Sequence, residues 1–258
     1  MKLIRIIFIL LMCAAGIMFA QTIAPKKCNT CGKPLAQCQY KGRHPNPAAS
    51  EKPAKQRTQA AKPVQPSKPT SGYQNGHEWV DLGLPSGTKW ATMNVGASSP
   101  SDYGSYFAWG ETSSKSNYTW ENLKYRISGD SYDNVKFSKY VTDSKYGNVD
   151  DKCELDLSDD AAYVNWGRGW RIPSKAQRDE LFEKCKKTWT TMDEVSGIKI
   201  VGPNGNILFL PGPAGQCYYW TREVEPEINY DAYILSVDNV NAAFRCDGLF
   251  VRAVLVTE

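Results

Sequence analysis

Apolar and polar residues alternate from His77 onward in a way that the preceding fifty residues never do. In "HEWVDLGLPSGTKWATMNVG" apolar side chains return near every second position, predicting two short strands joined by a turn at Pro85 and Gly87. "SYFAWGE" at 105–111 is a further aromatic segment. "SDDAAYVNWG" predicts a short helix, with Ser158 as N-cap, Asp159 and Asp160 at its positive end and Gly167 as its stop. "PSKAQRDELFEKCKKTW" predicts a second helix: Ser174 and Gln177 form a capping-box pair, and acids precede lysines. Leu181, Phe182, Cys185 and Trp189 then share one face, expected to be buried. The runs "GIKIVG", "NILFLPG", "YYWTRE", "AYILSVD" and "LFVRAVLV" follow as short strands between Gly, Pro and Asn turns. Two helices among many short strands, without βαβ alternation, predict an α+β fold built on antiparallel sheets over residues 77–258.

Charge and composition divide the chain before that point. Residues 21–76 carry ten lysines and arginines against one acid, Glu51, whereas the body carries an excess of acids. Residues 46–76, rich in Pro, Lys, Ala and Gln, lack apolar periodicity and read as a disordered, extended spacer. The basic residues there are not interleaved with aromatics that could stack bases, so nucleic acid is not an expected partner. Residues 1–20 read as a signal peptide: Lys2 and Arg5, an apolar run over 6–19, and Ala20 before the cleavage point. The protein is therefore expected to be exported to the periplasm, cell surface or exterior. Membrane contact would come only through an uncleaved N-terminal segment. Cys13 follows the bulky Met12, so lipidation is not expected.

Residues 21–45 hold "CNTCGKPLAQCQYKGRH", with Cys28, Cys31, Cys38 and His44 at C-x2-C-x6-C-x5-H spacing. Four N/S ligands complete a tetrahedral zinc shell and leave no open coordination position, so the expected cofactor is structural zinc. A disulfide is the alternative in an oxidising compartment, and it would leave one cysteine over. His44 and His77 are the chain's two histidines. A Ser/His/Asp or Cys/His constellation would rest on His77 alone, at the domain edge, and no catalytic residue is expected. The adjacent pairs Asp150/Asp151 and Asp159/Asp160 read as turn and helix-start residues rather than opposed acid and base. Most of the dense aromatic set should be core. Tyr118, Trp120 and Tyr125, in the loop-like "NYTWENLKYRISGDSYDN", are the candidates for a ligand-stacking platform.

"EWVDLGLPSGTKWATMNVGASSPSDYGSYFAWGET", "DDAAYVNWGRGWRIPSKAQRDELFEKC", "GPNGNILFLP", "YYWT" and "GLFVRAVL", in that order, resemble the Fibrobacter major paralogous domain over residues 77–258. That resemblance implies a C-type-lectin-like fold, shared with sulfatase-modifying enzymes, in an exported bacterial domain. It makes non-catalytic binding or adhesion at the envelope, to a glycan or a protein, the leading expectation. A sulfatase-modifying-type enzyme and a structural envelope subunit are the alternatives. The enzyme would need a reactive thiol at Cys217 or Cys246, which could instead form a disulfide; Cys153 and Cys185 could form a second. Sugar-binding lectins of this fold hold calcium with a Glu-Pro-Asn loop and a Trp-Asn-Asp strand. Here "EPEIN" at 225–229 is a partial echo and Trp-Asn-Asp is absent. Asp238, Asn239 and Asn241 could add oxygens but read as a solvated turn, so calcium is not expected.

Overall fold

A computed structural model describes residues 70–256, except 214, 215 and 239. The signal segment, the Cys28/Cys31/Cys38/His44 cluster and the spacer up to residue 69 lie outside the described residues. What is described is mostly antiparallel sheet with two short helices, in keeping with the expected α+β class.

The first strands are β1 (Ser71–Gln74), β2 (His77–Asp81) and β3 (Lys89–Ala91). β1 and β2 form a hairpin closed by Asn75 and Gly76, whose positive φ values of 50° and 82° are those of a two-residue turn matched to strand twist. The Asn75 side-chain amide donates to the carbonyls of Trp166 and Arg168, both at 2.9 Å, and so pins the hairpin to the rest of the fold. The folded body therefore starts by Ser71, not at His77, and the last residues assigned to the spacer are a strand and its turn. β6 (Trp170–Arg171) and β13 (Val254–Leu255) complete a five-stranded sheet in the order β1-β2-β3-β13-β6, which sets the C-terminal strand beside the first ones.

Helix α1 is Ala161–Trp166. Its N-cap is Asp160 rather than Ser158, because Leu157–Asp159 forms a 3-10 turn that leaves Asp160 extended. The Asp160 carboxylate accepts from the backbone of Ala162, Tyr163 and Ile172 and from Arg171 Nε, so one side chain caps the helix and ties it to β6. Helix α2 (Lys175–Lys184) starts with the expected capping box: Ser174 Oγ accepts from Gln177 N at 3.0 Å, and Gln177 Oε1 accepts from Ser174 N at 2.8 Å. It ends earlier than predicted. Cys185 is already extended, and Lys186–Met192 is strand β7. The Thr-rich run from 188 to 191 is poor helix and good strand, and it pairs residue for residue with β8 (Val195–Val201). Trp189 is consequently on a strand and 44% exposed, not on a buried helix face, while Leu181 and Cys185 are buried as expected.

The β7–β8 turn is Asp193-Glu194, both with positive φ (49° and 65°), a conformation that costs a side-chain-bearing residue about 1–2 kcal/mol. After allowing for the extra chain entropy of glycine, Glu194→Gly is expected to stabilise the fold by about 0.5–1 kcal/mol in a denaturant titration. β9 (Ile207–Pro211) completes a sheet ordered β7-β8-β9. β10 (Tyr219–Val224), β11 (Asp231–Leu235) and β12 (Ala242–Phe244) form another, and β4 (Arg126–Ser128) with β5 (Lys136–Phe137) a short ribbon. α2 packs on β10 and β11, with Arg178 donating to the Ile234 carbonyl at 2.6 Å.

Three apolar clusters fill the body. One gathers Trp109, Trp166, Trp170, Trp220 and Tyr140. The second holds Trp90, Leu181, Ile198, Ile200, Leu208, Leu210, Cys217 and Tyr219. The third, around Phe137, Tyr146 and Cys246, packs beneath Tyr118 and Trp120. Buried indoles donate to carbonyls across the fold: Trp109 to Thr221, Trp220 to Phe107 and Trp170 to Gln74. Trp109, Trp170 and Trp220 thus act as apolar fillers with one satisfied donor each, whereas the indole N–H of the buried Trp90 has no partner among the described residues.

Candidate functional site

Each aromatic candidate is half-buried and engaged. The Tyr118 ring lies on Gly248, where an added Cβ would come within 2.8 Å of it, and its hydroxyl donates to the Tyr106 carbonyl at 2.7 Å. Trp120 leans on Phe137 and Phe244, at 6.4 and 5.5 Å between ring centroids. Tyr125 packs edge-on against Tyr140 and donates to Asp159 at 2.6 Å. Tyr118 and Trp120 border one cluster and Tyr125 another, so the three are not brought together as a platform.

Cys217 and Cys246 lie in different clusters and are free thiols, as are Cys153 and Cys185, so neither expected bridge is formed. Burial pushes both Cys217 and Cys246 up to about 12. Each is held as the thiol, which is a poor nucleophile. In "EPEIN", Asn229 is buried with both side-chain atoms occupied. Its Oδ1 accepts from Thr142 N and Asp143 N, and its Nδ2 donates to Thr142 Oγ1 and to the carbonyls of Glu225 and Pro226. It is a loop pin. Asp238 N donates to Ser236 Oγ at 3.1 Å and its Oδ2 accepts from the Tyr218 hydroxyl at 3.4 Å; Asn239 is outside the described residues. Among the described residues no group of three or more His, Cys, Asp or Glu side chains is placed to hold a metal. His77 stacks on Trp166 at 4.0 Å, and burial lowers its pKa, which keeps the ring neutral.

The densest charged cluster surrounds Asp159. Lys124, Lys139, Tyr125 and Tyr140 all donate to its buried carboxylate. Burial pushes this carboxyl upward, but the four donors outweigh it and hold the group well below the usual carboxylate range. Four donors on two oxygens leave no acceptor for a substrate, so the cluster is structural.

A groove with unspent chemistry lies elsewhere, along the outer face of the β7–β9 sheet. Its lining is Glu78, Thr92, Pro100, Met192, Ile207, Leu208 and Phe209, around a cavity of ≈ 220 Å³. The register explains the wall. Ile198 and Ile200 of β8 point into the core, and the alternate positions Gly197 and Lys199 face outward. The absent Gly197 side chain makes room for the Phe209 ring, which a Cβ there would meet at 2.5 Å. Ser101 Oγ donates to Asp193 Oδ2 at 2.9 Å, and Asp102 accepts from Ser98 N and Oγ, so the loop carrying Pro100 is fastened to the β7–β8 turn. On the other side Thr92 Oγ1 donates to Glu78 Oε2 at 3.0 Å. Glu78 is half-buried, and among the described residues it has no ion-pair partner. An apolar wall with one oriented carboxylate suits an apolar group joined to a cation or a hydrogen-bond donor.

The groove residues were not singled out by sequence. Their one trace is the alternation in "ILFLP", where Ile207 and Phe209 fall on one face and Leu208 and Leu210 on the other. No known protein family, curated protein or solved structure matches this chain.

Proposed function

We propose that residues 70–256 form a non-catalytic binding module of an exported envelope protein, and that its ligand is a protein segment presenting a Lys or Arg beside an apolar side chain. The observation that carries this reading is the groove: Met192, Ile207 and Phe209 supply apolar wall, and Glu78 supplies a carboxylate without a cation. The C-type-lectin-like fold implied by the resemblance is kept as part of the reading. A glycan is the weaker ligand, because sugar recognition wants an accessible aromatic face and Phe209 is only 3% exposed. The reactive-cysteine alternative loses its support with the buried, protonated Cys217 and Cys246. The zinc clasp at Cys28, Cys31, Cys38 and His44 and the spacer remain part of the proposal, as a structural knot and an extension that holds the module away from its tether.

The test is binding of the full chain to immobilised peptides that pair Lys or Arg with Leu or Phe, beside acidic counterparts and a glycan array. Cationic–apolar peptides are expected to bind, and Glu78→Lys should weaken them by about tenfold or more, the worth of one charge-assisted contact. Binding indifferent to Glu78→Lys would sink the groove. Glycan binding lost in Trp120→Ala would return the site to the aromatic loop.

A further inference from the structure

Tyr73 is the most exposed large apolar side chain among the described residues, at 71%. It stands on a strand that the fold holds firmly. Asn75 anchors the hairpin turn, and Gly72 leaves the space that the Trp79 ring fills, since an added Cβ would meet that ring at 2.5 Å. The Tyr73 side chain itself is unspent: among the described residues its hydroxyl makes no hydrogen bond and its ring no stacking contact.

The pairing register places this ring. Tyr73 lies opposite Glu78, and Thr92 N donates to the Glu78 carbonyl at 3.1 Å from the other side. Directly opposite residues share a face of the sheet, so Tyr73, Glu78 and Thr92 form one row across it. Asp81 N donates to Thr70 O at 2.8 Å, which makes Thr70–Asp81 a hydrogen-bonded pair. Three positions along, Tyr73–Glu78 is then a non-bonded pair, the kind whose side chains stand closest. Glu78 and Thr92 of this row line the groove. The start of β9, which supplies Ile207 to the same groove, is tied to the hairpin by Asn206 Nδ2 donating to Asp81 O at 2.8 Å. Tyr73 therefore stands at the groove's rim on the β1 side, next to its carboxylate.

Resting on the groove reading above, we infer that the ligand's cation is an arginine, and that Tyr73 is the residue that selects it over lysine. A guanidinium is planar, so it can lie flat on the Tyr73 ring and direct its N–H fork at Glu78 in the same pose. Thr92 Oγ1 orients the carboxylate by donating to Oε2 at 3.0 Å and leaves Oε1 without a donor among the described residues. Each carboxylate oxygen accepts at more than one site, so both can still take an arginine N–H. An ammonium is a compact, strongly hydrated charge with no plane to stack, and beside Glu78 it gains less from the ring. The firmly held hairpin also leaves little backbone to order when the ligand arrives.

Binding of the full chain to three peptides that differ only at the cationic position, with Arg, Lys or citrulline beside a Phe, tests the assignment. The wild-type chain should bind the Arg peptide about fivefold more tightly than the Lys peptide, and both more tightly than the uncharged citrulline one. Tyr73→Leu keeps apolar bulk at an exposed position and removes the ring. It should weaken the Arg peptide about fivefold and the Lys peptide by no more than about twofold, with an unchanged circular dichroism spectrum to show that it is folded. Tyr73→Phe keeps the ring and should keep the preference. Binding that depends on Glu78 but treats Arg and Lys alike, or a preference that survives Tyr73→Leu, would overturn the inference and leave the groove reading standing. No binding of either cationic peptide, or binding indifferent to Glu78→Lys, would remove the groove reading and this inference with it.

Discussion

Arg245→Ala is expected to cost about 4–5 kcal/mol of stability, among the largest effects available to a single substitution here. Arg245 is fully buried and has no carboxylate within ion-pair distance among the described residues. Its charge is held by neutral groups. Nη1 donates to the carbonyls of Asn229 at 3.1 Å and Tyr140 at 3.3 Å, and Nη2 donates to that of Lys139 at 3.2 Å. The guanidinium carbon sits 4.0 Å from the Phe137 ring centroid and 4.9 Å from that of Trp109. Tyr140 adopts a positive φ of 61°, so the loop that offers these carbonyls is itself held in an unfavourable backbone conformation. Truncation would orphan three buried acceptors and open a cavity among aromatic rings. Arg245→Met fills the space and avoids burying a charge, so it should lose roughly half as much. Chemical denaturation with an unchanged m-value would measure both. A loss below about 1 kcal/mol for the alanine variant would mean that the carbonyls find other donors.

The elements that were readable in sequence are those whose signals are local. Ser174 and Gln177 cap α2 through atoms three residues apart, and the apolar run in "HEWVDLG" belongs to a strand whose adjacent Trp79 and Val80 enter two different clusters. The misreadings have a common physical source. Lys186 to Met192 carries no glycine or asparagine at its turn, and a Lys-rich stretch after "DELFEKC" continues a helical charge pattern. What decides in favour of a strand is pairing with β8, whose turn is built from Asp193 and Glu194 at a cost in backbone energy. At the other end, Asn75-Gly76 is a strong hairpin signal, but it sits among residues whose composition resembles the spacer. Ser158 and Asp160 are both good caps, and only the 3-10 turn between them selects the second.

The candidate site was less legible than the fold. Loop aromatics such as Trp120 looked available because a loop in sequence carries no sign of what it covers. In the fold these side chains roof the Phe137 cluster. The groove draws Glu78 and Thr92 from one sheet, Pro100 from a pinned loop, and Met192, Ile207 and Phe209 from another sheet. No window of the chain contains that set, and only register tells which face of "ILFLP" looks outward. The Arg245 anchor was equally hidden, since an arginine in "NAAFRCDG" reads as surface until its partners, a hundred residues earlier, are in place.

Asp159→Asn should cost about 3–5 kcal/mol and reduce the protein's acid sensitivity. The isosteric amide keeps the volume but abolishes the charge, leaving Lys139 with its inner partner lost and two tyrosine hydroxyls competing for one weaker oxygen. Lys124 is more than a third exposed, so its share is small. Because the folded pKa of Asp159 is depressed, its stabilisation is complete above the unfolded carboxyl value, about 3.9, and is lost as the pH falls from there. The partners act at the other end. The pKa values of Lys139 and Tyr140 are raised in the fold, so what they contribute persists below about pH 10 and disappears above it. Near neutral pH Asp159→Asn should therefore be less stable than wild type, with a shallower acid limb, and both should lose some stability below about pH 6.5 as His77, whose pKa burial lowers, must be protonated. Asp156→Asn is the contrast. Its carboxylate also meets Lys139 but is 39% exposed, and the loss should stay below about 1 kcal/mol. The Tyr140 segment joins both anchors: its carbonyl accepts from Arg245 and its hydroxyl donates to Asp159. Combining Arg245→Met with Asp159→Asn should consequently cost less than the sum of the two, by about 1 kcal/mol or more. Strict additivity in that cycle would show two independent supports, and would remove Tyr140 as the element that couples them.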